Sequence, residues 1–375
     1  MTDVLSPSEF SVGTKVISGL GSLARLTGEV EQSGAGRLAV VADRGVADAG
    51  LLAEVLQGVP SSAIAVTLLV DPDPDVAAAE HVAAAARAAE CDLVLAVGGG
   101  SALAVGKATA IRLANDGRID TYQGVNQVPA PPAPTIAIPT TAGSGSEVSK
   151  VLVLHEPGRK DELVVRADGC EPRVAILDGT VLRRLPRDPL LYAGLDALSH
   201  AMEAQWARRG SWFTAALGEA AAQEIIEVLP EVAEGARNGA NRGGDNDASL
   251  QRLIDASCAA NMACGNSGLT LVHALSTAPS VHLPHGLKNG ILLPYVARFN
   301  EEASGPATRS LIAQIGPLYR TLGFRPAFPS GLAETDAADA MVAASSGHPF
   351  RANNIRESGD AELFGMLQEA GLPRR

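Results

Sequence analysis

Asp196 and His200 lie four residues apart in a helical stretch, so a carboxylate and an imidazole share one helix face, and Glu203 follows three residues on. His273 falls in another helical segment, and His285 closes the run Val281 to His285. One aspartate and three histidines are a donor set suited to Zn2+ or Fe2+. Each alone also reads as a solvated pair on a helix surface; four together, among apolar helices, bring the metal reading level with that simpler one.

A second set of residues suits a nucleotide. Gly98-Gly99-Gly100-Ser101 follows a strand-like run and opens a helix. Glycine lets the backbone approach a phosphate, and the free N–H groups of a helix start favour an anion. The same glycines would serve an ordinary strand-to-helix turn. Pro139 to Glu147 is dense in hydroxyls and glycine directly after another strand, with Thr140, Thr141 and Ser144 offering donors, or else a solvated cap. Asp43 ends a strand before Arg44-Gly45, where an acid accepts from a ribose 2′-hydroxyl and repels a 2′-phosphate, favouring NAD over NADP; a plain turn aspartate is the alternative.

The elements that must position these residues follow from hydrophobic patterning. Short apolar runs at Arg37–Asp43, Ala63–Val70, Asp92–Val97, Thr135–Ile138 and Val174–Leu177 read as buried parallel strands, and Val76–Ala89 and Ser101–Asn115 as helices between them. That alternation predicts a doubly wound parallel sheet. Beyond about Asp188 the pattern turns helical: Leu190–Arg208, Ser211–Gly235, Ser249–Cys264 and Leu269–Ala278. Asn238–Asp247 reads as an exposed helix–helix connection. The expected organisation is an α/β dinucleotide-binding domain over 1–182 and an all-helical metal- and substrate-binding domain over 183–375.

Composition narrows the class. The 375 residues are 46% hydrophobic and 19% charged, as in a core-forming chain, but only 3% aromatic, so Ala, Val and Leu must build the core. A net charge of −12 with no basic cluster argues against nucleic acid. The four cysteines form no Cys-x-x-Cys pair, which points to a reducing compartment. Met1 to Val12 lacks a signal-peptide pattern, and no apolar stretch of about 18 residues is present. The expectation is a soluble cytoplasmic protein without membrane contact, and a homodimer.

Taken together, Gly98–Ser101, Pro139–Glu147, Asp196–Glu203 and His285–Pro294 resemble the iron-containing (group III) alcohol dehydrogenase family, in order from Thr14–Ser22 to Phe350–Asn353. The resemblance implies the dehydroquinate synthase-like fold of that family, a dinucleotide-binding domain followed by a helical metal-binding domain. It implies that Asp196, His200, His273 and His285 hold one divalent metal, that Gly98 to Ser101 contact the pyrophosphate, that Thr140 and Thr141 border the cofactor, that Asp43 meets the adenosine ribose, and that Lys160 lies near the nicotinamide ribose. The implied reaction is metal-assisted hydride exchange between an alcohol and NAD.

Three departures bear on the substrate. Ala104 stands where the family helix carries Asp, Thr277 where it often has a second His, and the His273–His285 segment is about two residues shorter than usual. His282, three residues before His285, could then relay the proton, or Thr277 could through an ordered water. Lys288, three residues after His285, could hold an anionic substrate group, although a surface lysine is the simpler reading. The departures suggest a specialised biosynthetic intermediate, such as a phosphonate aldehyde or a modified-peptide hydroxyl. A dehydroquinate synthase-like enzyme and an inactive cofactor-binding relative are the competing readings.

Overall fold

The structure, a computed structural model, describes residues 8–155, 162–278 and 281–374. Among these residues the strands are β1 (Lys15–Ser18), β2 (Leu38–Asp43), β3 (Ile64–Val70), β4 (Leu93–Gly98), β5 (Gly124–Val125), β6 (Thr135–Pro139), β7 (Val151–Leu154), β8 (Leu163–Arg166) and β9 (Val174–Leu177). Six form a wholly parallel sheet in the order β1-β9-β6-β4-β2-β3. Its inner strands β4, β6 and β9 are buried throughout and β2 nearly so, which is why they read as unbroken apolar runs, whereas the edge strands β1 and β3 are partly exposed. β5, β8 and β7 form a separate small sheet in which β7 and β8 pair antiparallel. The sequence reading missed β1 and this hairpin, whose runs are four residues or fewer.

Strand order reverses next to β2. The chain leaves β2 for β3 at the sheet edge, then returns through the helix Val76–Ala88 to place β4 on the other side of β2. The carboxyl ends of strands at such a reversal are where open α/β sheets bind ligands. The register aligns those ends: Ala42 stands opposite Val97, and Gly98 opposite Pro139. Asp43, the glycine run and the hydroxyl-rich loop therefore leave the sheet side by side.

From Pro186 onward, among the described residues, the chain is helical: Arg187–Trp206, Trp212–Asn238, Asp247–Ser267, Leu271–Ser276, His285–Asn300, Pro306–Leu322 and shorter helices. Ser211 starts the second of these with a capping box, its Oγ accepting from the Thr214 amide while its own amide donates to Thr214 Oγ1. Among the described residues no helix is long and apolar enough to cross a membrane.

The chain divides into two compact units, and the division is discontinuous: residues 12–185 with 241–255 form one, and 186–240 with 256–375 and the chain start the other. A single cut after 182 does not capture this. Asn238–Asp247 is also not a purely exposed connection. It contains the short helix Ala240–Gly243, Asn241 is fully buried, and Asp247 pairs with Arg183. Gln251 explains the grouping, since it accepts from the Gly179 amide at 2.8 Å and donates to the Leu177 carbonyl at 3.1 Å, tying this segment to the end of β9.

The helix Gly100–Ala114 lies so close to β4 that a Cβ on Gly106 would stand 2.6 Å from the Ala96 Cβ. Gly106→Val is therefore expected to destabilise the protein by about 1–3 kcal/mol through overpacking, read as a lower urea midpoint. An unchanged midpoint would contradict this packing.

Candidate metal centre and nucleotide loops

Asp196, His200 and Glu203 occupy successive turns of the Arg187–Trp206 helix, and all three are buried. His273 lies in the Leu271–Ser276 helix, and His285 is the first residue of the His285–Asn300 helix. Gly286 lets the last of these meet the first at van der Waals distance: a Cβ there would lie 2.3 Å from the Tyr192 carbonyl oxygen and 3.2 Å from the Asp196 Cβ. That contact delivers His285 to Asp196.

Asp196, His273 and His285 each present one ligand atom, and the three atoms lie within 4.8 Å of one another. Both His273 Nε2 and His285 Nε2 stand 3.8 Å from Asp196 Oδ1. One carboxylate oxygen and two imidazole nitrogens suit Fe2+ or Zn2+, so the donor chemistry fits a divalent metal. The Asp196 and His273 side chains are 7% and 3% exposed, but that of His285 is 51% exposed, so the group opens on the His285 side. His200 stands outside the three-residue group; its ring stacks on His273 with centroids 4.6 Å apart.

Electrostatics favour a charged Asp196. Burial opposes ionisation, yet His200, His285 and His273, with a hydrogen bond from Asn289, hold the carboxyl below its ordinary value. His273 is raised against its own burial by Glu203 and Asp196. His285 is lowered, first by desolvation and then by the charges of His273, Lys288 and His200, with Asp196 pulling the other way.

Asn289 and Glu203 complete the surroundings, and sequence reasoning assigned neither a role. Asn289 Nδ2 lies 2.6 Å from Asp196 Oδ1 and 3.0 Å from Nε2 of both His273 and His285. Glu203 meets His273 Nδ1 with Oε2. Helical spacing could have found both: Asn289 is four residues after His285, and Glu203 seven after Asp196.

The residues proposed for proton and substrate handling differ in their surroundings. Lys288 is 8% exposed, which excludes the surface-lysine reading. Thr277 donates its hydroxyl to the Ala274 carbonyl at 3.0 Å, so that proton is committed to the helix end. His282 is exposed, unlike Asp196 and His273.

In the sheet unit the nucleotide candidates converge. Asp43 Oδ2 accepts from the Gly99 amide at 2.6 Å. Burial raises the Asp43 pKa, and the Gly99 and Ala102 amides oppose the rise. Part of this carboxylate is thus spent on holding the glycine turn. A Cβ on Gly98, whose φ is +153°, would stand 2.4 Å from Asp43 Oδ2; one on Gly99 would meet Thr141 at 3.3 Å, and one on Gly100 would meet Ser144 at 3.2 Å. The three glycines leave a cradle lined by the predicted residues. Thr140 is buried beside them, its amide on the Gly98 carbonyl. Ser101 Oγ accepts from the Asp73 amide at 3.3 Å. Lys160 lies outside the described residues.

Lys107, which sequence reasoning also passed over, anchors the hydroxyl-rich loop from beneath. Its ammonium donates to the carbonyls of Ser146, Ser149 and Val151 at 3.0, 3.1 and 2.6 Å. The lone cation among the apolar residues of the Gly100–Ala114 helix up to Ile111 was the available signal. Burial lowers Lys107 to about 8 and raises Glu147 to about 7.

Two family models span the chain: iron-containing alcohol dehydrogenase over residues 13–179, and the C-terminal region of the Fe-containing alcohol dehydrogenase family over 190–345. The probable alcohol dehydrogenase EutG of Salmonella typhimurium is 34% identical over 311 residues, covering 82% of this chain and 76% of the relative. The NAD-dependent methanol dehydrogenase of Bacillus methanolicus is 31% identical over 297 residues, covering 78% and 76%. The solved sulfoacetaldehyde reductase of Bifidobacterium kashiwanohense, in complex with NAD+, superposes with a TM-score of 0.86 at 26% identity, covering 98% of this chain and 99% of its own. Fold and donor set together define a metal-dependent oxidoreductase. The chain belongs to the iron-containing alcohol dehydrogenase family, and the dehydroquinate synthase-like alternative is set aside.

The buried Lys107 and Glu147 predict a distinctive stability profile. Folded Glu147 keeps its proton to about pH 7, against an ordinary 4.5, so its contribution to stability falls as pH rises from 4.5 to 7. Folded Lys107 gives up its proton near 8, against an ordinary 10.5, so stability recovers as pH rises from 8 to 10.5. Urea unfolding across this range should show a minimum near pH 7 to 8 that the double variant Lys107→Met/Glu147→Gln flattens. A variant profile as curved as the wild type's would refute the assignment.

Proposed function

We propose that this protein interconverts a small anionic aldehyde and its alcohol, using NAD(H) and one divalent metal held by Asp196, His200, His273 and His285. The observation that carries the reading is the buried donor group of Asp196, His273 and His285, open on the His285 side. When bound, the metal would polarise the carbonyl or acidify the alcohol, and the nicotinamide would carry the hydride.

The chain's own residues supply binding and orientation. Asp196 contributes the negative charge that a divalent cation needs, and Glu203 and Asn289 hold the donors in place. The cradle of Gly98 to Gly100 suits a pyrophosphate, with Thr140, Thr141 and Ser144 as polar neighbours. Asp43 disfavours a 2′-phosphate by charge, which supports NAD over NADP, and the NAD named for two relatives agrees. Lys288 supplies a buried positive charge whose influence reaches His285, which supports an anionic substrate group. A relative named for sulfoacetaldehyde is in keeping with that. The exposed His282 is the candidate to pass a proton to solvent.

The test is NADH oxidation by protein loaded with Fe2+ or Zn2+, assayed with sulfoacetaldehyde and with propanal. Turnover should require metal, and NADH should bind more tightly than NADPH. Full activity after chelation, or tighter NADPH binding, would overturn the reading. Lys288→Met should raise KM for the anionic aldehyde at least ~10-fold while leaving propanal within twofold. Equal changes for both substrates would remove Lys288 from substrate recognition.

A further inference from the structure

Glu203 is fully buried, and its two carboxylate oxygens divide their work. Oε1 accepts from the Thr270 amide at 3.1 Å, the Thr270 hydroxyl at 2.9 Å, the Val272 amide at 2.8 Å and the His273 amide at 3.2 Å. Those contacts anchor the segment that carries His273. Among the described residues, Oε2 meets the imidazole alone, at Nδ1.

An ionised carboxylate accepts hydrogen bonds and cannot donate them, so the imidazole nitrogen opposite Oε2 must carry the proton. With Nδ1 protonated, the lone pair of a neutral ring lies on Nε2, the atom 3.8 Å from Asp196 Oδ1. The backbone contacts at Oε1 set where the ring stands, and the contact at Oε2 sets which nitrogen can bind. A carboxylate behind a ligating histidine raises the basicity of the ring as well as fixing its tautomer.

We propose that Glu203 is a positioning residue that makes His273 a metal ligand by holding its proton on Nδ1. This rests on the reading that Asp196, His273 and His285 bind a divalent metal. Replacing the carboxylate with an amide separates the two functions. In Glu203→Gln the amide oxygen can remain on the four donors, but an NH2 group then faces Nδ1. The ring must accept there, and its proton moves to Nε2, toward Asp196.

The experiment uses the full chain labelled with 15N-histidine, together with Zn2+ titration. In wild type the His273 signals should report the Nδ1–H tautomer. In Glu203→Gln they should report Nε2–H, Zn2+ affinity should fall ~10–100-fold, and NADH affinity should stay within twofold. Glu203→Asp, which keeps an acceptor, should recover part of the loss. Thr270→Val, which removes one donor from Oε1, should lower the melting temperature while leaving Zn2+ affinity within threefold. Equal loss of affinity in Thr270→Val and Glu203→Gln would overturn the proposal, because anchoring of the segment would then suffice. An Nε2–H tautomer in wild type would overturn it without any variant. Wild-type protein that binds no Zn2+ would remove the metal reading, and the tautomer comparison would still decide what Glu203 does.

Discussion

Two carboxylates, Asp196 and Glu203, are taken out of water on one face of one helix, and the surrounding fold has to compensate both. Burying an unpaired carboxylate costs several kcal/mol, so the helices around it are constrained to bring donors. Glu203 receives three amides, a hydroxyl and an imidazole from a single stretch, Thr270 to His273. Asp196 receives the Asn289 amide and the proximity of three histidines. Gly286 permits the backbone contact that places the Asn289 helix close enough. The positions of His273, His285 and Asn289 thus follow from the needs of two acids, and the donor group is a product of that compensation.

The sheet unit solves a related problem with backbone groups. Asp43 bridges the reversal in strand order, from the end of β2 to the turn after β4. Lys107 does the complementary job, satisfying two carbonyls of the loop that follows β6 and the first carbonyl of β7 with one ammonium. An acid holds the Gly99 amide at the start of the Gly100–Ala114 helix, and a base on that same helix holds carbonyls. Both loops owe their shape to charges inside the protein, which is why two short glycine-rich segments can be well defined without regular structure.

Much of this was legible in the sequence, for physical reasons. The inner strands are apolar along their whole length because both faces are covered, so Arg37–Asp43, Asp92–Val97 and Val174–Leu177 marked themselves. The donors announced themselves by residue type and helical spacing. What stayed hidden depended on contacts between distant segments. β7 and β8 are too short to carry a period, and Asn238–Asp247 looked solvated because its composition is that of a loop, although Asn241 is buried. Lys288 was the hardest to read, since its place in the sequence gives no sign that the residue is buried. Glu203 stood in plain view beside His200, but its role depends on a segment 67 or more residues away.

The hydrogen bond from the Gly99 amide to Asp43 also limits which residues this position can accept. Exchanging the acid for a neutral residue would take the acceptor from the Gly99 amide and with it a tie between the end of β2 and the turn after β4. Whatever charge this position presents to a ligand is therefore inherited together with the stability of the turn. A descendant without this acid would need a second change to supply an acceptor for the Gly99 amide.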